Sequence, residues 1–167
     1  PPFPAVSGLW GCPTVVNNIE TLMMLPAVIG KGADWFASVG VARSGGTAVF
    51  SISGHVTRPG LYEFPMGVPL MDVIASAGGL REGRSLKAVI PGGTSTPILT
   101  AAEAAGAKMD FDSLRGFGTF LGAGGIIILD DSADMVKVLY IIERFLWHES
   151  CGQCTPCREG SGWVSRI

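Results

Sequence analysis

The pattern of apolar and polar positions divides the chain into a helical beginning, a strand-rich middle and a helical end. In the first part, Asn17 or Asn18 can cap a helix that extends to Leu25. Pro26 is expected to restart or kink this helix, because proline suits the first helical turn better than an interior one. A second short helix is predicted over 33–39.

The middle of the chain alternates in the manner of strands. Residues 47–56 form one alternating run, Arg58-Pro59-Gly60 makes a turn, and residues 61–64 form the second strand of a hairpin. Apolar residues at helical spacing over 68–77 stop at Gly78-Gly79. The same part predicts three short strands and one short helix, over 85–90, 94–99, 126–129 and 101–107. A hairpin, a helix and a late apolar strand together describe a small β-grasp module.

The last part predicts an amphipathic helix over 133–147, with caps supplied by Asp130-Asp131-Ser132. Most of its apolar residues fall on one face. Tyr140 and Ile141 widen that face, so more than one neighbour has to cover the helix. The helix leads directly into a loop that holds three of the four cysteines of the chain.

These cysteines stand at two successive three-residue steps, as Cys151, Cys154 and Cys157. The C-x-x-C-x-x-C arrangement is one that iron-sulfur clusters take from a short loop. On a regular helix the first and third thiols would point about 120° apart and could not converge. Gly152 and Pro156 disfavour a helix interior, so the sequence predicts a curled loop that turns its three sulfurs inward.

Other uses of the cysteines remain open at this point. A zinc site would take four ligands, typically as two separated pairs, and His148 is badly placed to complete a tetrahedron. A disulfide is disfavoured because there is no signal peptide and the chain is not a cysteine-rich scaffold. A redox dithiol would leave the third cysteine unexplained. Cys12, far from the others in sequence, is expected to be a buried or half-buried free thiol, and His55 a structural histidine.

Composition adds the expectation of a partner. Apolar residues make up 47% of the chain and charged residues only 16%, whereas about 25% charged residues is typical of globular domains. Much apolar surface is therefore expected to meet other protein. The net charge of -2 gives no electrostatic case for nucleic acid, and no apolar run approaches the roughly 20 residues of a membrane-spanning helix. Because it lacks an initiator methionine, the chain is expected to be part of a longer protein.

A resemblance adds to this interpretation. Along its whole length the chain contains PPFPA, GLWGCPTVVNNIETL, SISGHVTRPGLYEFP and HESCGQCTPCREG. Together these motifs resemble the NADH-oxidising flavoprotein subunit of respiratory complex I. Closely related subunits occur in NAD-linked hydrogenases and formate dehydrogenases, and the motifs do not separate the three.

The resemblance implies an α+β fold in three parts. Residues 1–43 would be the end of a domain that binds FMN and NADH, and residues 44–131 a soluble-ligand-binding β-grasp (SLBB) domain. Residues 132–167 would begin a helical bundle that carries one 4Fe-4S cluster. In the whole protein, electrons would pass from NADH through FMN to the cluster.

The resemblance also implies which residues bind these groups. Cys151, Cys154 and Cys157 would be three of the four cluster ligands, with the fourth outside this chain. The residues implied to lie against FMN are Val16, Asn17, Asn18 and Thr21. No catalytic side chain is implied, and this chain alone is expected to lack dehydrogenase activity.

Partners and location follow from the same resemblance. The implied partners are the rest of the flavoprotein subunit and the other subunits of the complex. The expected location is the bacterial cytoplasm, peripheral to the inner face of the cell membrane, with the mitochondrial matrix as an alternative. The competing hypothesis is a non-catalytic SLBB interaction module whose thiols are free or oxidised.

Overall fold

The structure is a computed structural model and describes residues 2–167. After a short 3-10 turn at Leu9–Gly11, seven strands and seven helices follow one another in these residues. In chain order they are α1 (Ile19–Lys31), α2 (Ala33–Ser38), β1 (Gly40–Val41), β2 (Ser44–Gly45), β3 (Thr47–Gly54), β4 (Gly60–Pro65), α3 (Leu70–Ser76), β5 (Leu86–Ile90), β6 (Leu99–Thr100), α4 (Ala101–Gly106), α5 (Phe111–Gly116), β7 (Gly125–Asp130), α6 (Met135–His148) and α7 (Ser161–Val164). A π-helical turn over Pro156–Gly160 precedes α7.

Five of the strands form one sheet in the order β4-β3-β7-β5-β6. The β3–β4 hairpin is antiparallel, as predicted from the alternating pattern. Strand β7 inserts between β3 and β5, where it runs parallel to β3 and antiparallel to β5. The predicted α+β class with a central β-grasp sheet is confirmed.

The main core lies between one face of this sheet and helices α3, α4 and α5. Phe50, Ile52 and Ile128 point into it from the strands, and Val73 and Leu114 meet them from the helices. The opposite face carries a smaller cluster in which Ala88 and Leu129 pack against Ala133 and the start of α6. The first turn of α6 therefore rests on the sheet.

Helix α1 begins as predicted, because the Asn18 side chain accepts a hydrogen bond from the Glu20 N–H at 2.8 Å. Of the two expected effects of Pro26, a restart does not occur, since α1 continues through Pro26 to Lys31. Proline removes one helical hydrogen bond. No residue of α1 is buried, so the carbonyl that loses this bond can be hydrated.

Two further differences have local causes. Residues 94–99 do not form the predicted strand, because the Thr96 hydroxyl accepts from the Gly92 N–H and donates to the Gly93 carbonyl. These bonds stabilise a turn, and pairing with β5 begins only at Leu99. Helix α5 was not predicted. Its capping signal is Asp110, whose side chain accepts from the N–H of Ser113.

Helix α6 starts two residues later than predicted and is capped by Asp134, which accepts from Val136 N and Lys137 N. Asp130 cannot serve as the cap because it bonds to His55 and Ser132. Within residues 2–167, no helix is both long and apolar enough to cross a membrane.

Candidate functional site

The three cysteines of the last part border one open cavity of about 580 Å³. Cys151 and Cys154 lie in the loop after α6, and Cys157 lies in the π-helical turn that follows. All three thiols are exposed. The rest of the lining is largely apolar and includes Leu146 and Val164. The elements thus bring to one space the three thiols that the sequence places at three-residue steps.

The predicted curled loop is observed only over its first half. Gly152 adopts a φ of +71°, which turns the chain after Cys151. Pro156 occupies the start of the helical turn, where proline is tolerated because its missing N–H has no helical partner to lose. Cys157 is therefore held on a helix, and the expectation of a non-helical loop is wrong there.

The Arg158 side chain makes three hydrogen bonds within the cysteine segment 151–160. Its guanidinium donates to the Gly152 carbonyl at 3.1 Å and to the Thr155 hydroxyl at 3.4 Å. Its Nε also donates to Glu159 at 3.3 Å. Outer contacts of this kind hold the backbone of metal-ligating segments in place.

Zinc is the alternative to a cluster at these cysteines. Among residues 2–167, no three His, Cys, Asp or Glu side chains come close enough to hold one ion. A zinc ion needs four ligands on one centre, whereas each cysteine of a cluster binds a different iron, so its ligands stand further apart. His148 bonds to the neighbouring Glu149 at 2.9 Å and does not line the cavity.

Cys12 is not a fourth member of this group. It lies near the other end of the chain and is exposed, so the expectation of a buried or half-buried thiol is wrong. Backbone hydrogen bonds cause this, because Cys12 N–H donates to Leu9 and the Cys12 carbonyl accepts from Gly8. They close a small surface turn that has no core to receive the side chain.

The four residues implied to lie against FMN, Val16, Asn17, Asn18 and Thr21, do not share one cavity. Asn18 and Thr21 line an open cavity of about 550 Å³ between the start of α1 and the β-grasp sheet. Val16 borders a separate depression against Phe3 and Pro13, and Asn17 lines neither of these two cavities. All four side chains are exposed.

The far wall of the first cavity was not predicted as part of a site. It includes the buried Ser44 and the glycine-rich turn 122–124. Glu20 is the one charged side chain of the lining. Amide and hydroxyl groups of this kind fit the ribityl oxygens of a flavin, whereas no cationic side chain of the lining would meet its phosphate.

A third polar cluster lies where the sheet joins α6. Asp130 is 1% exposed, and its Oδ1 lies 2.7 Å from His55 Nδ1. Ser132 donates its hydroxyl and its N–H to the same carboxylate oxygen. These Ser132 hydrogen bonds, followed by the one from His55, lower the pKa of Asp130 against the effect of burial. His55 thus has the bonded, structural position expected for it.

Comparison with known proteins finds two family matches along the chain. Residues 49–99 match the SLBB domain family, and residues 137–167 match the NADH-ubiquinone oxidoreductase-F iron-sulfur binding region. The chain is 51% identical, over all of its length, to the NADH-quinone oxidoreductase F subunit of Rickettsia bellii (strain OSU 85-389). Over its whole length the chain is therefore similar to a part of this F subunit. It is also 49% identical to the F 2 subunit of Rhizobium meliloti (strain 1021), and it spans 40% of the length of these relatives.

Solved structures extend this likeness to a second class of enzyme. An NAD+-reducing [NiFe]-hydrogenase in its H2-reduced state aligns with 99% of this chain and 28% of its own, with a TM-score of 0.82 and 38% identity. The air-oxidised state gives a TM-score of 0.83 and 39% identity. The predicted resemblance to complex I flavoproteins and hydrogenase subunits is therefore confirmed.

Proposed function

We propose that this chain is part of a flavoprotein subunit that oxidises NADH and passes the electrons through FMN to a 4Fe-4S cluster. The observation that carries the proposal is the common cavity of Cys151, Cys154 and Cys157. It lies within the stretch that matches the NADH-ubiquinone oxidoreductase-F iron-sulfur binding region. The proposed parts are 1–43 for the flavin domain, 44–131 for the SLBB domain and 132–167 for the cluster domain.

In this proposal each of the three cysteines holds one iron through its thiolate. The fourth ligand comes from outside this chain. A bound cluster would take up and release single electrons. Arg158 orients the loop and offsets negative charge near the thiolates, while Leu146 and Val164 give one side of the cavity an apolar lining.

Asn18 and Thr21 are proposed to contact the ribityl chain of FMN from the start of α1. Their amide and hydroxyl can both donate to and accept from its hydroxyl groups. Val16 and Asn17 precede them and would contact the flavin from the adjoining surface. Because the NADH-binding residues are expected elsewhere in the subunit, this chain alone should not oxidise NADH.

The partners would be the remainder of the subunit and the other subunits of a respiratory complex at the cytoplasmic face of the cell membrane. A second candidate is the corresponding subunit of an NAD-linked hydrogenase, which the TM-scores above 0.8 favour. A purely structural SLBB interaction module is the third candidate, and it differs because it requires no cluster.

The test is anaerobic iron-sulfide reconstitution of a full-length subunit that carries this sequence. Cys154→Ser should lose most of the visible charge-transfer absorbance and of the iron bound per chain, since it removes one of the thiolates that hold the iron. Cys12→Ser is the matched control, because Cys12 is equally exposed but lies outside the cavity. Equal iron content in the two variants would contradict the cluster assignment and favour the interaction module.

A further inference from the structure

The two ends of the cysteine loop are joined by a contact between Trp147 and Gly162. Trp147 lies in the last turn of α6, just before the loop, and Gly162 lies in α7, just after it. Gly162 is the one buried residue of α7. A Cβ added at Gly162 would lie 2.9 Å from Trp147 Nε1 and 3.0 Å from Trp147 Cε2. The indole therefore rests directly on the glycine backbone, and no other residue type fits without movement.

A second contact covers the same ring. The guanidinium carbon of Arg166 lies 5.5 Å from the centroid of Trp147. A cation over an indole face is attracted by the ring electrons. Trp147 is thus held between α7 and the residues that follow it, although 42% of its surface remains exposed.

This contact joins the two helices that flank two of the thiols. Cys151 lies three residues after the end of α6, and Cys157 sits on the helical turn that continues into α7. A change in the separation of α6 and α7 at Trp147 is therefore expected to change the separation of Cys151 and Cys157. Within the loop, the Arg158 hydrogen bonds restrain only the segment from Gly152 to Glu159.

We propose that Trp147 and Gly162 are positioning residues for the iron-sulfur site. They hold α6 against α7 so that the cavity has the width that the cluster requires. This inference rests on the proposed function, because it names what sets the geometry of the same cysteines. Neither residue touches the cluster in this proposal, and both act through the cysteines.

The chain offers a control for the key substitution. Gly30 lies in α1, outside the cysteine cavity, and a Cβ there would meet nothing within 4 Å. Gly160 is unsuitable because it lines the cavity together with the cysteines. Gly30→Ala and Gly162→Ala therefore make the same chemical change in two helices, and only the second requires Trp147 or α7 to move.

The experiment uses a full-length subunit reconstituted with iron and sulfide, and follows cluster loss to a chelator together with the electron paramagnetic resonance spectrum of the reduced cluster. Gly162→Ala should lose its cluster about tenfold faster than wild type and show altered g values. Gly30→Ala should match wild type. Adding Trp147→Leu to Gly162→Ala removes Nε1 and Cε2, so the double variant should retain its cluster better than Gly162→Ala alone.

A second measurement separates this inference from the proposed function. In iron-free protein, amide hydrogen exchange over 151–157 should be faster in Gly162→Ala than in Gly30→Ala. Equal exchange and equal cluster retention in the two variants would overturn the positioning role. A wild-type subunit that takes up no cluster would contradict the proposed function, and the exchange rates would then decide the positioning role without it.

Discussion

The β-grasp sheet and the two long helices, α1 and α6, differ in how far their apolar residues are buried. In the sheet region, Phe50 and Leu70 are fully buried and Ile52 is 1% exposed. Helices α1 and α6 are 13 and 14 residues long, yet neither contains a buried residue. Ile29 of α1 is 80% exposed and Val136 of α6 is 78% exposed. The apolar content is high in both regions, but only the sheet region covers it.

This difference shows which part of the chain has its own source of stability. The sheet region gains the free energy of a closed core, which offsets its conformational entropy. Helices of this length are marginal in water unless an apolar face is packed. Since the related subunits are longer than this chain, the open faces of α1 and α6 are consistent with contacts to further protein. The low charge content of the sequence indicated such contacts.

The largest expected change in the free energy of unfolding comes from removing one apolar side chain from each region and comparing the two losses. Phe50→Ala should lower the free energy of unfolding by about 3–5 kcal/mol, because it leaves a cavity in the core. Leu139→Ala in α6, where Leu139 is 54% exposed, should change it by less than about 1 kcal/mol. Urea unfolding followed by circular dichroism measures both. Equal losses would mean that α6 is as well packed as the sheet.

A second pair of substitutions should have opposite signs in the two regions. Gly54 ends β3 with a φ of +89°, and a Cβ there would lie only 2.2 Å from the Ile128 carbonyl oxygen. Gly54→Ala should therefore cost at least about 2 kcal/mol. Gly30 is helical and has open space around it, so Gly30→Ala should stabilise α1 by about 0.5–1 kcal/mol. Thermal unfolding of the two variants checks the signs, and destabilisation by Gly30→Ala would show that α1 is already packed.

Local signals predicted most elements of the fold, whereas distant pairing could not be predicted. The hairpin at Arg58-Pro59-Gly60 and the cap at Asn18 each depend on neighbouring residues, and both are present. The insertion of β7 between β3 and β5 depends on residues far apart in sequence. An apolar run such as 126–129 indicates a buried strand without indicating its neighbours.

The candidate sites show the same limit. The spacing of the three cysteines indicated a common site because the information lies within seven consecutive residues. The contact of Trp147 with Gly162 was not predicted, since it depends on how α6 and α7 cross. The exposure of Cys12 was mispredicted because a free thiol is usually buried, and nothing nearby in the sequence showed that the turn lacks a core.

The smallest expected effect concerns Asp130, at the junction of the two regions. Hydrogen bonds from Ser132 and His55 lower the pKa of Asp130 below its ordinary value of 3.8. The folded protein therefore binds this proton less readily than the unfolded chain does. The resulting stabilisation is fully present above the unfolded pKa, near pH 4, and is lost as the pH falls through the lower folded value.

Asp130→Asn should remove this part of the acid sensitivity, because the amide does not titrate. Its unfolding midpoint should fall less steeply between about pH 4 and pH 2 than that of the wild type. Asp131→Asn is the control, since Asp131 is adjacent, half exposed, and has an Arg84 nitrogen 3.6 Å away. Thermal unfolding across this pH range measures the slopes. If Asp130→Asn kept the full wild-type slope while Asp131→Asn reduced it, the charge that stabilises the junction would reside at the surface ion pair and not at the buried carboxylate.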